Sequence, residues 1–148
     1  MSERFAAAAG RKVVSRTTAE ELGKLAHIVV DVKRRHVEFV VVGKGRKALL
    51  LAWDDISGFG PDAVMASSED ALFAPRDERD RAAADGKLDL VGRRALSDMG
   101  NDIGPITDIV FDPATGSIET VVLDDHEEPA TSLLGAGSYA AVVRESAT

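Results

Sequence analysis

His27, His36 and His126 are the imidazoles of this 148-residue chain, which contains no cysteine. Acid–base, triad or zinc chemistry would need such rings gathered with carboxylates or thiolates at workable spacing. Here His27 opens an apolar run, His36 sits in a turn and His126 lies among acids. The absence of cysteine excludes disulfides, thiolate metal sites and thiol nucleophiles. The stretch "DDHEEP" (124–129) clusters carboxylates but lacks the alternating spacing and sharp-turn glycine of a cation loop. "GKGRK" (43–47) lacks the GxxxxGK[ST] phosphate pattern, and "GAGSYA" (135–140) lacks GxGxxG spacing. Both read as turns. Asp54 and Asp55, after Trp53, read as polar residues ending a strand. The pattern predicts no catalytic constellation, no cofactor and no metal site, with the histidines as solvated surface groups.

The elements around these residues come in two copies. "IVVDVKRRHVEFVVV" (28–42) and "IVFDPATGSIETVVL" (109–123) each read as two apolar strands joined by a turn. Leu22–Val42 aligns with Ile103–Leu123 at a constant offset of 81 residues, with 7 of 21 positions identical and five more apolar in both. Upstream "GRKVVS" (10–15) matches "GRRALS" (92–97), and downstream "GFGPDAVMA" (58–66) matches "GAGSYAAVV" (135–143). The same features recur in the same order, as expected of an internal duplication. Ala130 falls where Trp53 stands in the first copy.

β-Branched runs punctuated by Gly, Pro and charged turns predict five short strands in each copy. They fall near 12–15, 25–32, 37–42, 48–53 and 63–66, then near 94–97, 106–111, 118–123, 131–134 and 139–144. Short strands leave unpaired edges unless the sheet curls and closes, so the expected fold is all-β, two small duplicated barrels. The division reads as unit one over 8–68, a linker with a short helix starting at Ser68 over 69–89, and a degenerate unit two over 90–145. Units this small have marginal cores alone and should pack on each other. In unit one the predicted core sets Trp53 against Val30, Val41, Leu49 and Leu51. "EFVVV" and "ALLLA" are apolar at consecutive positions, so both strand faces need cover, from the sister barrel or a second subunit.

Charge is divided unevenly. Residues 1–58 carry a net +4 and residues 59–148 a net −11, within an overall −7. That balance argues against DNA or wholesale phosphate-backbone binding. The basic hairpin tip Lys33, Arg34, Arg35 and the "GKGRK" loop lie about 20 Å apart along one strand, too far to merge readily into one patch. At the 81-residue offset Lys44, Arg46 and Lys47 stand against Asp124, Asp125, Glu127 and Glu128. These two loops are the candidate interaction surfaces, meeting within the chain or across a homodimer. No apolar run reaches the ~18 residues that span a bilayer, and the N-terminal four-alanine stretch is too short for a signal-peptide core. The reading is therefore a cytoplasmic protein without membrane insertion.

Gly10, "LGKLAHIVVDV", "LLLAWDDI" and "GPDAVMA" resemble the PRC-barrel, a fold named for the cytoplasmic part of the photosynthetic reaction-centre H subunit and found as one domain of a ribosome-maturation factor. The resemblance covers Gly10–Ala66 well and Gly92–Arg144 more weakly, where "HEEPATSL" replaces the Trp-containing strand. It implies a small barrel that binds or assembles with other macromolecules, and carries over no shared catalytic residues. The expected function is a non-enzymatic tandem module for protein–protein interaction or assembly. The alternative is an RNA- or ribosome-associated factor, which the resemblance alone supports.

Overall fold

The computed structural model describes residues 2–145. Strand β1 (Glu3–Arg4) and the single turn α1 (Phe5–Ala8) lead into unit one, built from β2 (Lys12–Ser15), β3 (Glu21–Asp31), β4 (His36–Val42), β5 (Leu49–Ala52), β6 (Ile56–Phe59) and β7 (Val64–Ala66). Helix α2 (Glu78–Ala84) lies between the units. Unit two contains β8 (Arg94–Ser97), β9 (Asp102–Phe111), β10 (Ile118–Leu123), β11 (Glu127–Pro129), β12 (Leu133–Ala136) and β13 (Ala141–Val143). The sheets run β5-β4-β3-β2-β7-β6 and β11-β10-β9-β8-β13-β12, the same path strand for strand. Each contains one parallel pair, β2 with β7 and β8 with β13.

The duplicated all-β architecture thus matches the sequence reading, with six strands per unit instead of five. The additional ones are β6, whose "ISGF" is interrupted by Gly58, and β11, whose "EEP" lacks any β-branched residue. Tertiary pairing, not propensity, makes them strands. β3 and β9 also begin earlier than expected because β2 and β8 pair with their leading residues, Lys12 with Lys24 and Arg94 with Pro105.

One apolar cluster runs through both units. It joins Leu25, Val30, Val40 and Leu51 to Ile106, Ile109, Phe111 and Val121, all buried. The hairpin tips close the seam above it. His36 pairs with Ser117, while Val37 N–H donates to Gly116 O and Ile118 N–H donates to Arg35 O, both at 2.8 Å. His36 and Ser117 are repeat equivalents, and the two flanking bonds interchange under the 81-residue offset, Val37 for Ile118 and Gly116 for Arg35, so a local pseudo-two-fold axis passes through the contact.

The outer face of unit one forms a second cluster of Val29, Phe39, Val41 and Leu50. Its cover is the linker, neither the sister barrel nor a second subunit as expected. Ala83 and Ala84 of α2 pack onto it, and Phe73 exchanges backbone hydrogen bonds with Leu50 at 2.8 and 3.0 Å. Val41 therefore lies on the opposite face from Trp53, correcting the predicted core. Leu49 is half-buried, whereas Val30 and Leu51 are buried in the shared core. Ser68 opens only a 3₁₀ turn, Glu69–Ala71, with no side-chain cap. The helix starts later, where the Asp77 carboxylate accepts from Asp80 N–H at 2.8 Å and Asp80 accepts from Arg76 N–H at 3.0 Å.

Trp53 opens the 3₁₀ turn Trp53–Asp55 and is half-buried, less than expected. It lies at the seam. Its ring stacks on Phe59 at 6.1 Å and meets the edges of Phe111 at 6.5 Å and His36 at 5.9 Å. Ala130 opens the matching turn in unit two, Ala130–Ser132.

Candidate interaction surfaces

The segments leading into each unit cross over and pack on the other one. Residues 3–8 lie along β9 of unit two: β1 pairs Glu3 with Phe111 and Arg4 with Val110, and the Phe5 ring meets Phe111 edge-on at 5.2 Å. Ala6 N–H donates to Asp108 Oδ1 at 3.0 Å. The corresponding lead-in of unit two turns back on β3 of unit one. His27, the repeat equivalent of Asp108, has Nδ1 2.8 Å from Asp89 Oδ2, and Leu90 joins the shared core. Burial raises the Asp89 carboxyl above its ordinary pKa, against the pull of His27. The pair borders a small apolar cavity of about 160 Å³ lined by Phe5, Leu25 and Leu90.

The crossing is unequal, and the inequality makes a groove. In unit two the edge of β9 beyond β8 is occupied by β1. In unit one the equivalent edge of β3 is reached by neither β2, which pairs only over Glu21–Lys24, nor any other strand among the described residues. Ala84 ends α2 and Gly86 turns under the His27 ring, so the lead-in does not run as a strand there. A groove of about 710 Å³ results, with Val29–Lys33 on one wall and Leu134–Ser138 on the other.

A pair of arginines marks the two places. Arg11 is mostly buried, forks onto Glu3 at 3.0 and 3.4 Å and donates to Gly60 O at 2.8 Å. Arg93, its counterpart in "GRRALS", donates to Gly137 O at 2.5 Å and to Lys87 O. No carboxylate lies within 4 Å of Arg93 among the described residues. Lys33 and Lys87 also line the groove, both exposed and without a salt bridge among the described residues, while Arg79 is held by Glu38 at 2.8 Å. Sequence reasoning passed over Arg93 and Lys87. The aligned "GRK" and "GRR" had paired Arg11 with Arg93, but only the fold reveals that the first forks onto a carboxylate while the second forms no ion pair within 4 Å among the described residues.

The loops singled out from sequence are arranged differently from expectation. Lys44, Arg46 and Lys47 form an exposed turn between β4 and β5, with no ion pair among the described residues. Within the chain it is the hairpin tips, not these loops, that meet at the pseudo-two-fold axis. β11 pairs Glu127 with Val122 and Glu128 with Val121, while β5 pairs Leu50 with Val41 and Leu51 with Val40. The two glutamates therefore replace Leu50 and Leu51, not Arg46 and Lys47, because the second loop is shorter. Glu128 is buried, 3.2 Å from His126 Nε2 and 3.5 Å from Ser132 Oγ, so it presents no face to a partner. Asp124, Asp125 and Glu127 remain exposed. His126 Nδ1 lies 2.6 Å from Asp125 Oδ1, and this contact raises the imidazole pKa above its ordinary value.

The basic hairpin tip divides. Lys33 and Arg34 are exposed, but Arg35 is half-buried and donates to Thr131 O at 3.2 Å across the seam. Two histidines likewise depart from the expected solvated state. His27 is tied to Asp89, and His36 directs Nδ1 to Val37 O and Nε2 to Thr115 O, both at 2.6 Å. Among the described residues no helix is long and apolar enough to cross a membrane.

A search of curated proteins gave no match to the chain. The family model of the PRC-barrel domain matches residues 5–72 and 88–143, one segment over each unit and together most of the sequence. With two matching segments, one fold path traced twice and the duplication legible in the residues, the chain belongs to the PRC-barrel family.

Proposed function

We propose that this tandem PRC-barrel chain is a non-enzymatic, cytoplasmic module that binds a protein partner and self-associates as a homodimer. One observation carries the reading: the groove where β3 offers an unpaired edge between unit one and β12 of unit two. An unpaired edge in a concave site is a ready template for another chain. The shared core beneath it holds both walls in fixed relation, so a partner would meet a preformed site. Exposed Lys44, Arg46 and Lys47 supply a second charged surface, suited to register and association rate more than to affinity.

The test is affinity capture of the tagged full chain from its native cells, with and without nuclease, at low and moderate salt. The expected result is a protein partner retained after nuclease treatment. Loss of all partners with nuclease would replace this reading with an RNA- or ribosome-associated one.

A further inference from the structure

We infer that the groove beside β3 takes an extended acidic segment of a partner protein, added as a strand along Val29–Asp31 with a carboxylate seated on Arg93. The inference rests on the interaction-module reading and names its partner's chemistry. The molecule carries its own precedent. At the equivalent edge in unit two, Glu3 and Arg4 pair as a short strand with Phe111 and Val110, and Glu3 seats its carboxylate on Arg11. Carried to unit one by the repeat, those pairings fall on Val30 and Val29, and Arg11 becomes Arg93. Edge, arginine and bound carbonyl are all present: Arg93 holds Gly137 O as Arg11 holds Gly60 O. Among the described residues, a paired strand and a carboxylate within 4 Å of the arginine are what this place lacks.

Charge sets the class of occupant. Lys33, Lys87 and Arg93 line the groove without an ion pair within 4 Å among the described residues, and of the acids beside them Glu38 is held by Arg79 and Asp31 accepts from Arg34 N–H, so the lining carries a surplus of cations. Across β9, Arg4 of the inserted strand faces Asp108 at 3.9 Å, but at the equivalent position His27 is already held by Asp89 at 2.8 Å. Backbone pairing supplies the orientation, the part-exposed apolar side chains of Val32, Leu88 and Leu134 accommodate alternate side chains, and the cations select acidic ones.

The test is calorimetry and amide NMR on the full chain with a blocked hexapeptide of alternating Val and Glu. Three comparison probes are the Lys-for-Glu version, a version N-methylated at alternate residues, and hexauridylate. The expected result is one site, with shifts confined to 28–33 and 134–138. Neither the Lys peptide nor the N-methylated peptide should bind. Arg93→Gln should weaken binding about tenfold or more, the scale of a lost charge-assisted hydrogen bond. Because Arg93 also bridges Gly137 and Lys87, the double variant Lys33→Gln/Lys87→Gln provides an independent check, with weaker binding again expected. Equal binding of the N-methylated peptide, unchanged affinity in both variants, or preference of the groove for hexauridylate would overturn the inference. Partners captured equally by wild type and Arg93→Gln would refute the groove while leaving the module reading intact.

Discussion

His36 and Ser117 occupy the same place in the two repeats and pair with each other. The flanking hydrogen bonds, Val37 N–H to Gly116 O and Ile118 N–H to Arg35 O, are equal at 2.8 Å. An internal duplication thus closes on itself at its own hairpin tips. Arg35 and Gly116 both adopt positive φ there, 52° and 82°. At Gly116 a Cβ would stand 2.7 Å from Trp53 Cε2 and 2.9 Å from His36 Cε1, so only glycine fits against the seam.

Gly116→Ala should therefore cost more than a left-handed alanine alone. Gly100 provides the comparison, with φ of 89° and no heavy atom within 4 Å of its Cβ position. Gly100→Ala should lose about 1 kcal/mol from conformation. Gly116→Ala should lose that plus about 1–3 kcal/mol from overpacking. Urea unfolding of the two variants measures the difference. Equal losses would show that the seam yields freely.

Trp53→Ala should destabilise both units together, because its ring contacts Phe59 in unit one and Phe111 in unit two. A fully buried Trp lost to Ala costs about 3–5 kcal/mol, and half-burial puts this site near the lower end. Thermal unfolding followed by calorimetry should remain one transition, shifted down. Two separate transitions would mean that the shared core does not couple the units.

The linker helix protects the outer face of unit one, so its cap matters. Asp77→Ala removes the acceptor for Asp80 N–H and should cost about 1 kcal/mol. A fragment of residues 1–75 lacks the helix altogether and leaves Val29, Phe39, Val41 and Leu50 without its cover. Light scattering should find that fragment aggregated. A soluble monomer with a sharp melting transition would contradict the assignment of α2 as cover.

His126 gives a pH signature. Its contact with Asp125 raises its pKa above the ordinary 6.5, so the folded state holds that proton more tightly than the unfolded chain. The stability contributed by the contact is present below the unfolded value and is lost as pH rises through the folded one. Exposure keeps it small. NMR titration should place the ring midpoint above 6.5, and Asp125→Asn should lower it. An unchanged midpoint in the variant would assign the shift to other groups.

Much of the fold was legible because burial writes itself into β-branched runs, and a repeat written twice corrects noise in either copy. The offset that aligned the hairpins also held the information on cover. Phe39 becomes Thr120 and Leu50 becomes Glu127 where, among the described residues, unit two has no helix over that face, but a loop of unequal length hid the second correspondence. Strands β6 and β11 were not legible, since glycine and glutamates become strands there only through pairing. The candidate loops were chosen by their opposite charges at the 81-residue offset. The groove depends on which strand edge is left empty, and that is a property of chain path, not of local composition.

The central claim is that the two equivalent edges differ, β9 filled by β1 and β3 open. Amide hydrogen exchange of the full chain, resolved by NMR, compares them within one molecule. The amides of 28–31 that point away from β4 should exchange much faster than their equivalents at 109–112, which β1 and Asp108 shield. Saturating Val/Glu hexapeptide should slow the first set and leave the second unchanged. Equal protection at both edges in the free protein, or slowing spread over both, would contradict the account.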